Sequence, residues 1–305
     1  IIAELLKAAG ETVYVGGNIG KPLLPDVDGM EPGDIAVLEL SSFQLMTMDR
    51  SPNIAVVTNL APNHLDVHKS MEEYIEAKEN IFLHQSEQDL LVVNADNEIT
   101  HGFAGEAQGR VAMFSRLSEP ARGAFLRDGA IWVRNEMHER PVLPVADILL
   151  PGTHNVENYM AAITALDGLV PDPVVRDFAQ KFAGVEHRIE LVRTLNGVKY
   201  YNDSIASSPS RTIAGLRSFH QKVILIAGGY DKHIPFDVLG PEIIGHVKEL
   251  FLTGDTAEKI KAAVENCPDY LPAALPITVI DGFEEAVLAA HKAAKPGDVV
   301  ILSPA

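Results

Sequence analysis

Apolar residues along this chain fall in short blocks separated by amphipathic stretches. The blocks at 12–15, 35–40, 53–58 and 89–94 are rich in Val, Ile and Leu and too short for helices, so they read as buried strands. Residues 1–10 read as a helix closed at Gly10, the residue that best tolerates a left-handed helix C-terminus. Between the third and fourth blocks, 70–84 carries apolar side chains at helical spacing and opens on Ser70-Met-Glu-Glu73, the pattern of a capping box. Strands alternating with helices imply a largely parallel sheet with covered faces. Residues 110–134 read as strands around an Asp128-Gly129 turn, and 155–169 and 173–182 as helices.

The pattern restarts near Val185. Two short blocks, 190–195 and 198–201, flank Asn196-Gly197, a strong two-residue hairpin signal. Strands near 222–227, 248–252, 277–280 and 298–302 then alternate with helices near 208–218, 255–265 and 282–294. That order predicts an open α/β domain of Rossmann-like type. The fold class is therefore α/β throughout, with one domain over 1–184 and a second over 185–305.

Composition narrows the function classes. A hydrophobic content of 47% supports two real cores, so disorder is not expected. No apolar run approaches the roughly 18 residues of a membrane span, so no membrane insertion is expected. The formal charge of −17 argues against nonspecific nucleic-acid binding, and an anionic ligand needs a local basic pocket on this acidic body. One cysteine, Cys267, fits a reducing, cytoplasmic setting. The chain opens at Ile1 without methionine, in what reads as mid-helix, and stops just after the strand at 298–302. It therefore reads as a fragment of a longer protein.

Several residues carry candidate chemistry. Glu39 closes an otherwise apolar strand, where open α/β sheets bind ligands, and its carboxylate suits Mg²⁺; a helix cap or a solvated strand end is the plainer account. His64, in Leu60-Ala-Pro-Asn-His-Leu-Asp66, follows the next strand and is either a ligand beside Glu39 or a surface histidine. Lys78 lies on the apolar face of its helix, among Tyr74, Ile75, Ile81 and Phe82. Either its stem packs while the ammonium reaches water, or the amine takes up CO₂ and becomes an anionic carbamate. Asn155 and Asn158 share one face at a helix start, where they cap the helix or meet a polar heterocycle. Ile226-Ala-Gly-Gly-Tyr-Asp-Lys232 is a strand, a glycine turn and then charges. Val185-Glu-His-Arg-Ile-Glu190 and Tyr200-Tyr-Asn-Asp-Ser204 set cations and a carboxylate at the start of the second domain, the needs of phosphates and a ribose. Gly16-Gly-Asn-Ile-Gly-Lys-Pro22 resembles a phosphate loop but has Val15 and Pro22 where that motif needs Gly and Ser or Thr.

Together these motifs resemble the Mur ligase family: Asn18 in Gly-Gly-Asn-Ile-Gly, Glu39 in Glu-Leu-Ser-Ser-Phe-Gln, His64, Lys78, Asn155 and Asn158, His187 and Arg188, Asp203 and Lys232. The Asn202-Asp203-Ser204 form points to the branch that joins UDP-N-acetylmuramoyl-L-alanine to D-glutamate in cytoplasmic peptidoglycan precursor synthesis. The resemblance implies a central ATPase domain with a mostly parallel sheet, a Rossmann-like C-terminal domain, and a monomer. It implies ATP with two Mg²⁺ ions, one held by Glu39 and one by His64 and a carbamylated Lys78. Asn18 would contact the muramoyl substrate and Ser41 would be substrate-binding, Asn155, Asn158, Arg188 and Asp203 would serve the ATP, and His187, Ser207 and Lys232 the D-glutamate. An N-terminal UDP-binding domain, a phosphate loop and a C-terminal tail would lie outside these residues, leaving the 305 residues alone inactive. Another Mur ligase, a folylpolyglutamate synthase, and a non-catalytic nucleotide-binding module are the alternatives. The lack of a Gly-x-Gly-x-x-Gly motif after a strand counts against a dinucleotide oxidoreductase. One position departs from the family: Ile205 stands where a lysine commonly follows Asn-Asp-Ser, and Arg211 is expected to supply the missing charge.

Overall fold

The computed structural model describes residues 1–18, 22–61, 68–231 and 234–305. They form two compact units, Ile1–Leu149 with Asn155–Phe182, and Leu150–His154 with Ala183–Ala305. In chain order the first set of elements is α1 (Ile2–Ala8), β1 (Val13–Gly17), β2 (Ile35–Glu39), α2 (Ser42–Leu45), β3 (Ile54–Val57), α3 (Met71–Glu79), β4 (Leu90–Asn94), α4 (Glu98–Gly102), β5 (Arg110–Ser115), β6 (Gly123–Arg127), β7 (Ala130–Arg134), β8 (Glu139–Pro144), α5 (Thr153–Ala165) and α6 (Asp172–Lys181). The α/β class is as expected, but the sheet divides. β1 and β2 form a two-stranded parallel pair, and the other strands form a six-stranded sheet in the order β3-β4-β5-β6-β7-β8. That sheet is parallel from β3 to β6 and antiparallel from β6 to β8. Ala55, Val57, Leu91 and Val93 of β3 and β4 pack with Tyr74, Phe82 and Phe103 into one core.

Two local differences from the sequence pattern have identifiable causes. The helix expected over 70–84 is α-helical only to Glu79. Ser51 Oγ donates to Asn80 O at 3.0 Å and accepts the His84 N–H at 3.0 Å. Those are the two groups that one more helical turn would have joined, so a hydroxyl from a distant segment ends the helix. The capping box is also only half formed. Ser70 Oγ accepts the Glu73 N–H, but the Glu73 carboxylate accepts the Lys69 N–H. β8 carries Pro141 and Pro144 and is not a strand that the apolar pattern predicts; it lies at the edge of the sheet, where a missing N–H is tolerated.

The second set is β9 (Glu190–Leu195), β10 (Val198–Asn202), α7 (Pro209–Leu216), β11 (Val223–Ala227), α8 (Leu239–His246), β12 (Val247–Leu252), α9 (Ala257–Glu265), β13 (Ile277–Val279), α10 (Phe283–Ala293) and β14 (Val299–Leu302). The six strands run β13-β12-β11-β14-β10-β9, parallel except for the β9–β10 hairpin at Asn196-Gly197. β11 is buried at every position. Val223, Leu225 and Ala227 join a core with Leu239, Ile243, Ile260 and Val264 of α8 and α9. Ile224 and Ile226 face the opposite core with Ala286 and Ala290 of α10. A period of two buried on both sides is what a doubly covered parallel strand requires.

Candidate active site

In the first unit, β1 and β2 end together, with Gly17 in register with Glu39. Asn18 then turns onto Glu39 twice. Its backbone N–H donates to Glu39 O at 2.7 Å and its side-chain amide to Glu39 Oε1 at 3.3 Å. Gly17 permits the approach: at φ +106° its backbone is left-handed, and a Cβ there would collide with Glu39 O. Ser41 caps α2, accepting the Gln44 N–H at 3.3 Å while Gln44 Oε1 accepts the Ser41 N–H at 2.9 Å.

Lys78, half-buried on α3, does not run out to water. Its Nζ donates to Leu40 O at 3.3 Å, over the end of β2. Burial pushes its pKa down, and the Glu39 carboxylate works the other way. Asn18, Glu39, Ser41 and Lys78 are thus gathered at the carboxyl end of one strand pair. Glu39 offers the hard oxygen donors that Mg²⁺ takes. The ammonium form of Lys78 only donates, so Lys78 could meet a metal only after losing its proton, as a neutral amine or, with the oxygen donors that Mg²⁺ takes, as a carbamate. Among the described residues no group of three or more His, Cys, Asp and Glu side chains is clustered for a metal. His64 lies outside the described residues. Four positions on stands His68, which the apolar and motif patterns do not single out. It is 2% exposed, its Nε2 lies 2.9 Å from Ser42 Oγ, and its ring stacks on Phe43 at 5.3 Å. The spacing His64-Leu-Asp-Val-His68 was its only signal.

In the second unit the centre is Asp203, directly after β10 and 3% exposed. Its Oδ1 accepts the Ile189 N–H at 3.2 Å and its Oδ2 lies 2.8 Å from Ser303 Oγ, which sits 3.0 Å from Thr212 Oγ1. Burial raises its pKa, while these hydrogen bonds and the cations Arg188 and Arg211 oppose the rise. The bond to Ile189 holds a strained loop. His187 at φ 68° and Ile189 at φ 46° are both left-handed, at a cost of order 1–3 kcal/mol each. The Glu190 carboxylate accepts the His187 N–H at 2.8 Å, and Asn202 Nδ2 lies 2.9 Å from His187 Nδ1. Between the two strained residues, Arg188 is left exposed.

His154 is likewise not singled out by the apolar and motif patterns. Burial, then the nearby Arg188 cation, lower its pKa to about 4, so its ring is neutral at physiological pH. Asn155 and Asn158 lie in the first turns of α5, and Asn158 Nδ2 donates to Asn155 Oδ1 at 3.3 Å. Ser207, half-buried, donates its N–H to Ile205 O at 2.9 Å. Lys232 lies outside the described residues. Before it, Gly228 at φ +108° has to be glycine, because a Cβ would strike Thr253 O, and Asp231 pairs with Lys259 at 2.5 Å.

Residues 1–166 match the Mur ligase middle domain, and residues 187–305 match the glutamate ligase domain of Mur ligases. The chain belongs to the Mur ligase family. It is 55% identical over 307 residues to a UDP-N-acetylmuramoylalanine–D-glutamate ligase of Acetivibrio thermocellus and 52% identical over 305 residues to one of Clostridium beijerinckii. All of the chain is covered in both matches, and it spans 66% of the length of each relative. Among solved structures it resembles the MurF ligase of Thermotoga maritima in complex with ADP, at TM-score 0.71 and 18% identity, covering 100% of this chain and 73% of that one. It also resembles E. coli FolC in complex with DHPP and ADP, at TM-score 0.67 and 17% identity, covering 99% of this chain and 81% of that one. These structural likenesses carry the fold alone. No helix of this Mur ligase chain, among the described residues, is long and apolar enough to cross a membrane.

Proposed function

We propose that the complete protein forms the amide between UDP-N-acetylmuramoyl-L-alanine and D-glutamate at the expense of ATP, as a cytoplasmic monomer. Likeness to the D-glutamate ligases over the whole of this chain, at 55% identity, carries this reading. On it, 1–184 is the central ATP-binding domain and 185–305 the C-terminal ligase domain. The alanyl carboxylate attacks the γ-phosphorus and ADP leaves, giving an acyl phosphate. The D-glutamate amine then attacks the acyl carbon, the amide bond forms, phosphate leaves, and the amine gives up a proton.

The residues fit these steps physically. Two anions must meet in the first step, so positive charge has to offset both. Mg²⁺ held by Glu39, and by His64 with a carbamylated Lys78, would supply that charge. Asn18 fixes the Glu39 carboxylate and, with Ser41, faces the muramoyl substrate. Arg188 serves the nucleotide phosphates, and Asn155 and Asn158 the adenine. Asp203 holds the Arg188 loop through Ile189 and, since a carboxylate oxygen accepts more than one hydrogen bond, also meets the ribose. His187, Ser207 and Lys232 belong to the D-glutamate side. Steady-state ADP release by the complete enzyme tests the assignment. Release is expected to need both UDP-N-acetylmuramoyl-L-alanine and D-glutamate, with L-glutamate and D-alanine as poor replacements; release indifferent to the amino acid would reject it.

A further inference from the structure

The carboxyl edge of the second sheet is where its loops gather. β10, β14 and β11 end side by side, with Asn202 in register with Leu302 and Ile226 with Leu302. Ligands of open α/β sheets bind beyond that edge. The loop leaving β10 places Ile205 there, an isoleucine 48% exposed that offers neither charge nor a side-chain hydrogen bond. Its backbone carbonyl is nevertheless used twice. It accepts the Ser207 N–H at 2.9 Å and Arg211 Nη1 at 3.2 Å.

Arg211 sits in the first turn of α7 and is exposed. The hydrogen bond to Ile205 O brings its guanidinium back along the loop to position 205. Only one of its donors is engaged in that bond, and guanidinium donors match carboxylate and phosphate oxygens. The nearby Asp203 carboxylate attracts Arg211 through space, but its hydrogen bonds run to Ile189 N–H and Ser303 Oγ while the guanidinium bonds Ile205 O. A cation anchored to a carbonyl, on a chain of formal charge −17, is placed rather than scattered.

Resting on the ligase reading above, we infer that Arg211 is a substrate-binding residue whose guanidinium, held over Ile205, receives an oxyanion of the substrates. That oxyanion is a carboxylate of the incoming amino acid or a phosphate of the nucleotide. The charge that the residue 205 side chain lacks is delivered from one turn into the next helix. The position of the charge, and not the identity of residue 211, is what the site requires.

The test is a transfer of charge in the complete enzyme. Arg211→Ala is expected to raise one KM by about tenfold or more, with kcat changed less. A rise confined to D-glutamate identifies the carboxylate, and a rise confined to ATP the phosphate. Adding Ile205→Lys to Arg211→Ala is expected to restore most of the loss, because the ammonium then stands where the guanidinium stood. Arg211→Gln, which removes the charge but keeps the aliphatic stem and an amide donor, guards against a variant that fails to fold, and its KM is expected to rise with an unchanged melting temperature. Unchanged KM values in both single variants, or a loss that Ile205→Lys leaves in place, overturns the inference. A parent enzyme without D-glutamate-dependent ADP release overturns the ligase reading instead.

Discussion

Lys78→Ala in the complete enzyme lowers kcat by about 10²–10³-fold, the scale of removing one preorganised electrostatic contact, and acetate or propionate restores part of it. The rescue follows from the geometry. Lys78 Nζ lies 3.3 Å from Leu40 O, one residue beyond Glu39, and burial lowers its pKa. Burial favours the neutral amine that reacts with CO₂, against the Leu40 carbonyl and the Glu39 carboxylate, which favour the ammonium. A small carboxylate entering the space that the truncated side chain leaves at position 78 would return oxygen ligands without the lysine. Parent enzyme freed of CO₂ and bicarbonate is expected to lose activity and regain it on adding bicarbonate. Full indifference to bicarbonate, with no rescue by either acid, would sink the carbamate.

The same lysine sets a sign for stability. Its folded pKa is below its unfolded value, so between the two the unfolded chain binds the extra proton. Stability of the unmodified chain therefore rises with pH through that window, and the gain is complete once pH passes the ordinary lysine value. Urea titrations under CO₂-free conditions are expected to show this slope and to show it reduced in Lys78→Met.

Asp203→Ala has the second large effect, on stability as well as turnover. It removes the acceptor of the Ile189 N–H and the partner of Ser303 Oγ in a site 3% exposed, at a cost of about 1–3 kcal/mol per group left unpaired. The left-handed residues His187 and Ile189 then lose one of their restraints and Arg188 its fixed mount. The urea midpoint is expected to fall and the KM for ATP to rise. Asp203→Asn is expected to lie between parent and Ala, because it keeps one acceptor oxygen. An Asp203→Ala protein as stable as the parent would show that the loop is held by other contacts.

These residues also show what could be read in advance. Asn196-Gly197 announced the β9–β10 hairpin because few other residues accept its backbone, and the unbroken apolar run of β11 announced a doubly covered strand. Glu39 was legible because a single carboxylate closed an apolar block. Contacts between distant segments were not. Ser303 stands 100 residues from Asp203 in the chain, and nothing in its own surroundings marks it as that partner. Ser51 ends α3 from outside the helix, so no periodicity within 70–84 marks the stop. The prolines of β8 argue against a strand until the sheet makes it an edge.

The most direct measurement follows oxygen. UDP-N-acetylmuramoyl-L-alanine labelled with ¹⁸O in the alanyl carboxylate is turned over by the complete enzyme with ATP, Mg²⁺ and D-glutamate, and the phosphate released is analysed by mass. An acyl phosphate carries one carboxylate oxygen into phosphate, so one ¹⁸O per phosphate is the result this account expects. Unlabelled phosphate alongside amide product would contradict it.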